Sequence, residues 1–156
     1  SKSVTIAEIQ VVTGNLMSAY TQELTVNWGE SDPFGLVYYA REVAWFNEIE
    51  HELFRTIGYP INRMINEDRS AFVMGEIQFR FIGPAAYGDR VRCTLTLQEI
   101  RDKTVHWDCL ATNLNTKQTI TEGSAVRVYA EIMDDGNLRS RQIPDAIREV
   151  LSQFGT

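Results

Sequence analysis

Cysteine is scarce in this sequence, positive charge is in the minority, and no long apolar run interrupts it. The two cysteines, Cys93 and Cys109, are too few and too far apart for a zinc site or a disulfide framework. They read as reduced, buried thiols, which suits a cytoplasmic protein, with a cross-strand disulfide as the alternative. Fifteen basic residues against 21 acidic ones leave a formal net charge of -6. Nucleic acid rewards a dense basic face, and an anionic membrane surface also attracts cations, so neither is expected as a partner. No stretch approaches the roughly 20 apolar residues of a membrane-spanning helix, and the N-terminus lacks a signal-peptide pattern. Linkers, low-complexity segments and internal repeats are missing too. What remains is one enzyme-sized or binding-module-sized globular unit.

A chain of 156 residues with 44% hydrophobic content can bury a sizeable core. Residues 1–18 are weakly patterned and read as an N-terminal arm; residues 19–156 read as a single domain. Tyr20 to Trp28 alternates like a strand, with Leu24, Val26 and Trp28 on one face. Val43, Phe46, Ile49, Leu53, Phe54 and Ile57 then recur at helical spacing, and Gly58 with Pro60 stops the helix. Trp45 gives this helix a second apolar face, so it is expected to be covered on most sides. Residues 71–82, 90–100, 104–114 and 118–131 read as strands, separated by turn material. Asp134-Asp135-Gly136-Asn137 is a tight-turn signal, and Ala146 to Phe154 predicts a short closing helix. One buried helix packed on a curved antiparallel sheet of about five strands is the simplest layered solution, an α+β fold.

Between the first strand and the long helix stands W-G-E-S-D-P-F-G-L-V-Y-Y, residues 28–39. This stretch, with the W-F pair on the following helix, resembles the signature of the hotdog-fold acyl-CoA thioesterases. Within them it is similar to the 4-hydroxybenzoyl-CoA thioesterase-like branch that carries an aspartate in this loop. The similarity extends from about Tyr20 to Pro144. It implies a long central helix wrapped by a curved antiparallel sheet, in keeping with the pattern already read from the residues.

The loop's chemistry can be argued from its residues. A thioester carbonyl needs a nucleophile or a base-activated water, and donors for the oxygen that becomes negative. An aspartate carboxylate is ionised at neutral pH unless buried without partners. Asp32 lies just ahead of a helix N-terminus, whose free N–H groups and partial charge of about +0.5 favour an anion. Gly35 permits a tight turn and Pro33 stiffens it. One short loop can thus supply both carboxylate and oxyanion hole. Taken alone, an aspartate before a helix is a cap or turn residue; the surrounding motif favours chemistry. The resemblance implies that Asp32 attacks the thioester or activates water, and that the Tyr39 backbone N–H polarises the carbonyl.

Other polar residues are expected to be bland. Glu30 reads as a solvated loop residue, Glu42 and Glu48 as solvated helix positions, His51 as a surface histidine and His106 as structural. No metal or cofactor is implied. Hotdog dehydratases need a histidine in the loop, and none is there. A non-catalytic acyl-CoA binding module, or an enzyme acting on acyl-carrier-protein thioesters, remains the alternative. Arg101, Lys103 and Arg139 match basic residues that hold the nucleotide end of coenzyme A in the family; Asp102 replaces a further basic residue. Solvated turns are the competing reading for these charges. Trp28, Phe34, Tyr38, Tyr39 and Phe72 are candidates for lining an aryl or fatty acyl pocket, or for the core. The long strand 71–82 reads as an open edge, so a homodimer or homotetramer is expected.

Overall fold

In the computed structural model, which describes residues 9–12 and 17–155, seven antiparallel strands form one curved sheet. They are β1 (Ile9–Val12), β2 (Met17–Thr25), β3 (Ser70–Phe81), β4 (Arg90–Ile100), β5 (Thr104–Asn113), β6 (Gln118–Ile132) and β7 (Leu138–Ser140). The spatial order is β1-β2-β4-β5-β6-β3, and β7 pairs with β6. Strand alternation produces the inner face. Val91, Cys93, Leu95 and Leu97 of β4 are buried, as are Val105, Trp107, Cys109 and Ala111 of β5. A helix, α1 (Tyr39–Thr56), lies in the concavity. Its buried residues are Glu42, Trp45, Phe46, Ile49, Glu50, Leu53 and Phe54, a stripe recurring every three or four positions. Two of those positions hold glutamate.

Two short helices complete the chain, α2 (Ile61–Asn66) and α3 (Asp145–Leu151), the latter continued by a 3-10 turn to Phe154. The five expected strands and the long helix are present. Beyond them stand β1 and β7, too short to show an alternation signal. β2 ends at Thr25 rather than Trp28 because residues 28–30 turn into a 3-10 helix, where the Asn27 N–H meets the Glu30 carboxylate at 2.9 Å. Trp28 is therefore 71% exposed and edge-on to Tyr87 rather than in the core. Of the expected arm, residues 9–12 and 17–18 are strand, and 1–8 and 13–16 lie outside the described residues.

Gly123 of β6 admits a close crossing: a side chain there would run into the Phe79 ring and the Gln78 carbonyl of β3. Phe79 can then stack on Phe46 of α1, ring centroids 5.4 Å apart, which seats the helix against β3. Cys93 and Cys109 are both buried and form no disulfide, and burial pushes the Cys109 thiol up to about 12. Among the described residues no helix is long and apolar enough to cross a membrane.

Candidate active site

The loop ahead of α1 is a miniature hairpin. Ser31 bridges Val37, the Asp32 N–H donates to the Leu36 carbonyl at 2.7 Å, and the Gly35 N–H donates to the Asp32 carbonyl at 2.9 Å. Closing that turn puts Gly35 at φ +80, a region other residues enter only at a cost. Pro33 sits at the turn's second position, where its fixed φ fits. The loop is tied down on both flanks. The Val37 N–H donates to the Ala85 carbonyl at 2.8 Å, and Leu36 bridges Ala86.

Asp32 is half-buried within this turn. Its Oδ1 accepts from the Phe34 N–H at 2.8 Å and the Leu36 N–H at 3.2 Å. One carboxylate oxygen is thus held by the backbone, while the other has no partner among the described residues. Asp32 does not cap α1, whose N-cap is Tyr38 and lacks a side-chain cap bond. Among the described residues nothing accepts from the Tyr39 N–H. Asp32, Tyr38, Tyr39 and Glu42 line one cleft of about 700 Å³, with Phe81, Ile82, Gly83 and Pro84 at the end of β3 as its far wall.

Three glutamates depart from or add to the expected site. Glu30 was expected in solvent and is 5% exposed. Its Oε2 accepts from the Trp45 indole N–H at 2.7 Å and lies 3.4 Å from the Arg41 guanidinium, so the loop is pinned to the side of α1. Glu42, also expected in solvent, is 5% exposed, and its Oε1 accepts from the Thr121 hydroxyl at 2.5 Å. Burial raises its carboxyl above the ordinary 4.5, against the Thr121 bond. Glu50 is buried against Arg127 of β6, with Nε–Oε1 at 2.8 Å, and Arg127 also donates to Asn47 at 2.9 Å. Burial pushes Glu50 up, and the Arg127 charge opposes it. The signal for Glu42 and Glu50 was in the sequence, since both fall on the apolar stripe of α1.

Between α1 and the sheet lies a second, mostly apolar cavity of about 360 Å³, walled by Phe46, Ile77, Phe79, Leu95 and Trp107, with the Arg127–Glu50 pair on its lining. Of the expected pocket aromatics, Tyr38 and Tyr39 reach the Asp32 cleft. Phe34 is 87% exposed, and Phe72 packs in the core between Phe54 and Tyr129. Arg101, Lys103 and Arg139 are exposed at the other end of the sheet, and the chain does not itself bring them to Asp32. Arg101 is paired with Glu99 at 3.1 Å. His51 is exposed, and His106 bonds Thr104 at 3.0 Å. Among the described residues no cluster could hold a metal ion.

A long helix lapped by a curved, open antiparallel sheet, with a carboxylate loop at the helix start, is the hotdog arrangement of the thioesterases. A family model described as the thioesterase-like superfamily matches residues 26–151, and the chain belongs to that superfamily: it is a thioesterase. A search of curated proteins returned no match. Among solved structures, the chain is similar to a 1,4-dihydroxy-2-naphthoyl-CoA thioesterase from Synechocystis, with TM-score 0.78 and 16% identity, covering 86% of this chain and 96% of that one. The 4-hydroxybenzoyl-CoA thioesterase of Pseudomonas sp. strain CBS-3 matches with TM-score 0.71 and 21% identity, over 85% of this chain and 98% of that one. A mutant 4-hydroxybenzoyl-CoA thioesterase complexed with 4-hydroxybenzoyl-CoA matches with TM-score 0.78 and 20% identity, over 85% and 98%.

Proposed function

We propose that the protein hydrolyses an acyl-CoA thioester to the free acid and coenzyme A, with Asp32 as the carboxylate that attacks the carbonyl or activates water. The observation that carries this reading is the half-tethered carboxylate: one oxygen is held by two backbone N–H groups, the other has no partner among the described residues, and Asp32 lines one cleft with Tyr39. The Tyr39 N–H, unpaired among the described residues and at the positive end of α1, is the donor for the oxygen as it becomes negative in this reading. The 360 Å³ cavity beneath α1 supports an aryl or fatty acyl group as cargo. Residues 19–156 are taken as the catalytic domain, and two buried cysteines that form no disulfide support a cytoplasmic setting.

Coenzyme A and the assembly are linked. Thr121 of β6 lies opposite Phe81 at the Asp32 end of β3, whereas the Tyr129 N–H meets the Lys103 carbonyl. Eight residues of strand separate those two points, about 26 Å at a rise of about 3.3 Å per residue. The outer edge of β3 has no partner strand among the described residues. Pairing two such edges about a twofold axis sets the Ser70 end of one copy beside the Phe81 end of the other. The second copy's Lys103 and Arg139 then sit about three strand spacings, roughly 14 Å, from the first copy's cleft. A homodimer thus supplies the phosphate-binding charges from the partner.

The test is Asp32→Asn. Asparagine keeps an oxygen for the Phe34 and Leu36 N–H groups, so the loop and the melting temperature should stay as they are. Removal of a nucleophile or base should lower kcat by at least the 10²–10⁴-fold typical of such groups. Hydrolysis by this variant within about threefold of the parent would overturn the assignment.

A further inference from the structure

Glu42 stands in the apolar stripe of α1, where an aliphatic side chain would bury itself without penalty. Each of the other two buried glutamates has an arginine beside it, Arg41 for Glu30 and Arg127 for Glu50. Glu42 has no ion pair among the described residues, and its one hydrogen-bond partner is the Thr121 hydroxyl. Thr121 is fully buried, with β3 on one side of its strand and β5 on the other, so that hydroxyl cannot swing away. A carboxyl so placed is cheapest as the neutral acid. Yet it is not sealed in the core: it lines the cleft that holds Asp32 and Tyr39.

We propose that Glu42 is a second donor to the thioester carbonyl oxygen, giving it the O–H of a neutral carboxylic acid alongside the Tyr39 N–H. Side chains on a helix lean toward its N-terminus, which carries the carboxyl of residue 42 back over the first turn, where the free N–H groups open. The Thr121 hydroxyl donates to Oε1, which fixes that oxygen as the acceptor and leaves Oε2 to bear the proton. As Asp32 or its water adds to the carbonyl, negative charge grows on the oxygen and both donor bonds tighten. When the intermediate collapses and the thiolate leaves, they relax. The Glu42 proton is shared and never transferred. Two carboxyl groups in one cleft thereby take opposite parts, one in a backbone turn and one under the helix, the separation by environment that enzymes use to run acid and base chemistry together. The inference rests on the hydrolase reading of the same cleft.

The sign of the pH effect follows. Deprotonation turns Glu42 from a donor into a second negative charge beside the developing oxyanion, so the rate should fall on the alkaline side. The titratable groups around it are Asp32, Tyr38 and Tyr39 in the cleft. Arg41, next along α1, is turned to Glu30, and on the outer side of the neighbouring strands Arg80 pairs with Glu122 at 3.5 Å.

The experiment is a pH series of kcat and KM on aryl and fatty acyl-CoA substrates for the parent, Glu42→Ala, Glu42→Gln, Thr121→Val and Asp32→Asn. Glu42→Ala should lose about 10²-fold in kcat with little change in KM, the usual consequence of removing one oxyanion donor. Glu42→Gln retains an N–H donor that cannot titrate, so it should regain about tenfold over alanine and lose the alkaline fall. Thr121→Val should move that fall to higher pH, because the hydroxyl bond favours the ionised carboxyl. Infrared difference spectra at neutral pH should show a protonated-carboxyl band that Glu42→Gln lacks. A glutamine variant no better than alanine, an alanine variant within threefold of the parent, an alkaline fall that survives in glutamine, or no such band each overturns the proposal. A large Asp32→Asn loss beside an inert Glu42 would leave the hydrolase reading standing without it.

Discussion

At the residue scale, the site is a matter of which oxygen is already spoken for. Asp32 commits one to its own turn and keeps one free; Glu30 commits both, to the Asn27 N–H and to Trp45. Glu42 is the third case, raised by burial with nothing cationic to offset it. Its effect on stability has a definite sign. A carboxyl whose folded value lies above its unfolded one binds more protons when folded, so its contribution is full below about 4.5 and is lost as pH rises through the higher folded value. The melting temperature of Glu42→Gln should therefore exceed that of the parent by a margin that widens from pH 4 to pH 8 in scanning calorimetry. A margin independent of pH would mean that the carboxyl is equally ionised in both states. The turn at Asp32, Pro33 and Gly35 was legible because its motif is short and local. Glu42 was misread because a charged helix residue was assigned to solvent without asking which side of the helix it occupies.

At the scale of elements, α1 and β6 are joined by polar contacts as well as by apolar packing. Arg127 reaches Glu50 and Asn47 on consecutive turns, and Thr121 reaches Glu42, so the helix is fastened to the strand in its first turn and again at its middle. Removing one member of a buried pair leaves the other uncompensated, at about 3–5 kcal/mol, whereas replacing both with apolar side chains of similar size is neutral or stabilising. Urea unfolding should show Arg127→Met strongly destabilised and Arg127→Met with Glu50→Met restored to near the parent. Equal losses in the single and double variants would mean that the pair itself stabilises the fold. Strand alternation and the helical stripe made five strands and α1 legible. β7 was not, since all three of its residues are exposed and so carry no hydrophobic pattern, and α2 is only six residues long.

For the whole molecule, the order of strands decides what the sequence order conceals. Residues 101–103 and 139 look like ready companions for the Asp32 loop, but the antiparallel meander carries them to the opposite end of the sheet. Only a three-dimensional register could reveal that separation. If the partner supplies them, Arg101→Ala with Lys103→Ala should raise KM for acyl-CoA and spare kcat, since contacts to remote phosphates are equally strong in the ground and transition states. Mixing that variant with Asp32→Asn and allowing subunits to exchange should create a population of sites with parental KM, read in initial-rate curves; no such component would place the charges in the same chain as their aspartate. Lysine at the exposed Met74 and Ile77 of β3 should give monomers in light scattering, with hydrolysis lost alongside. The ties on the Asp32 loop, to Ala85, to Ala86 and through Glu30 to Trp45, carry a consequence in time rather than in space. A loop already fixed has no slow closing step to contribute. Substrate capture in a rapid-mixing experiment should then be a single phase whose rate climbs linearly with substrate concentration, set by encounter and without a plateau.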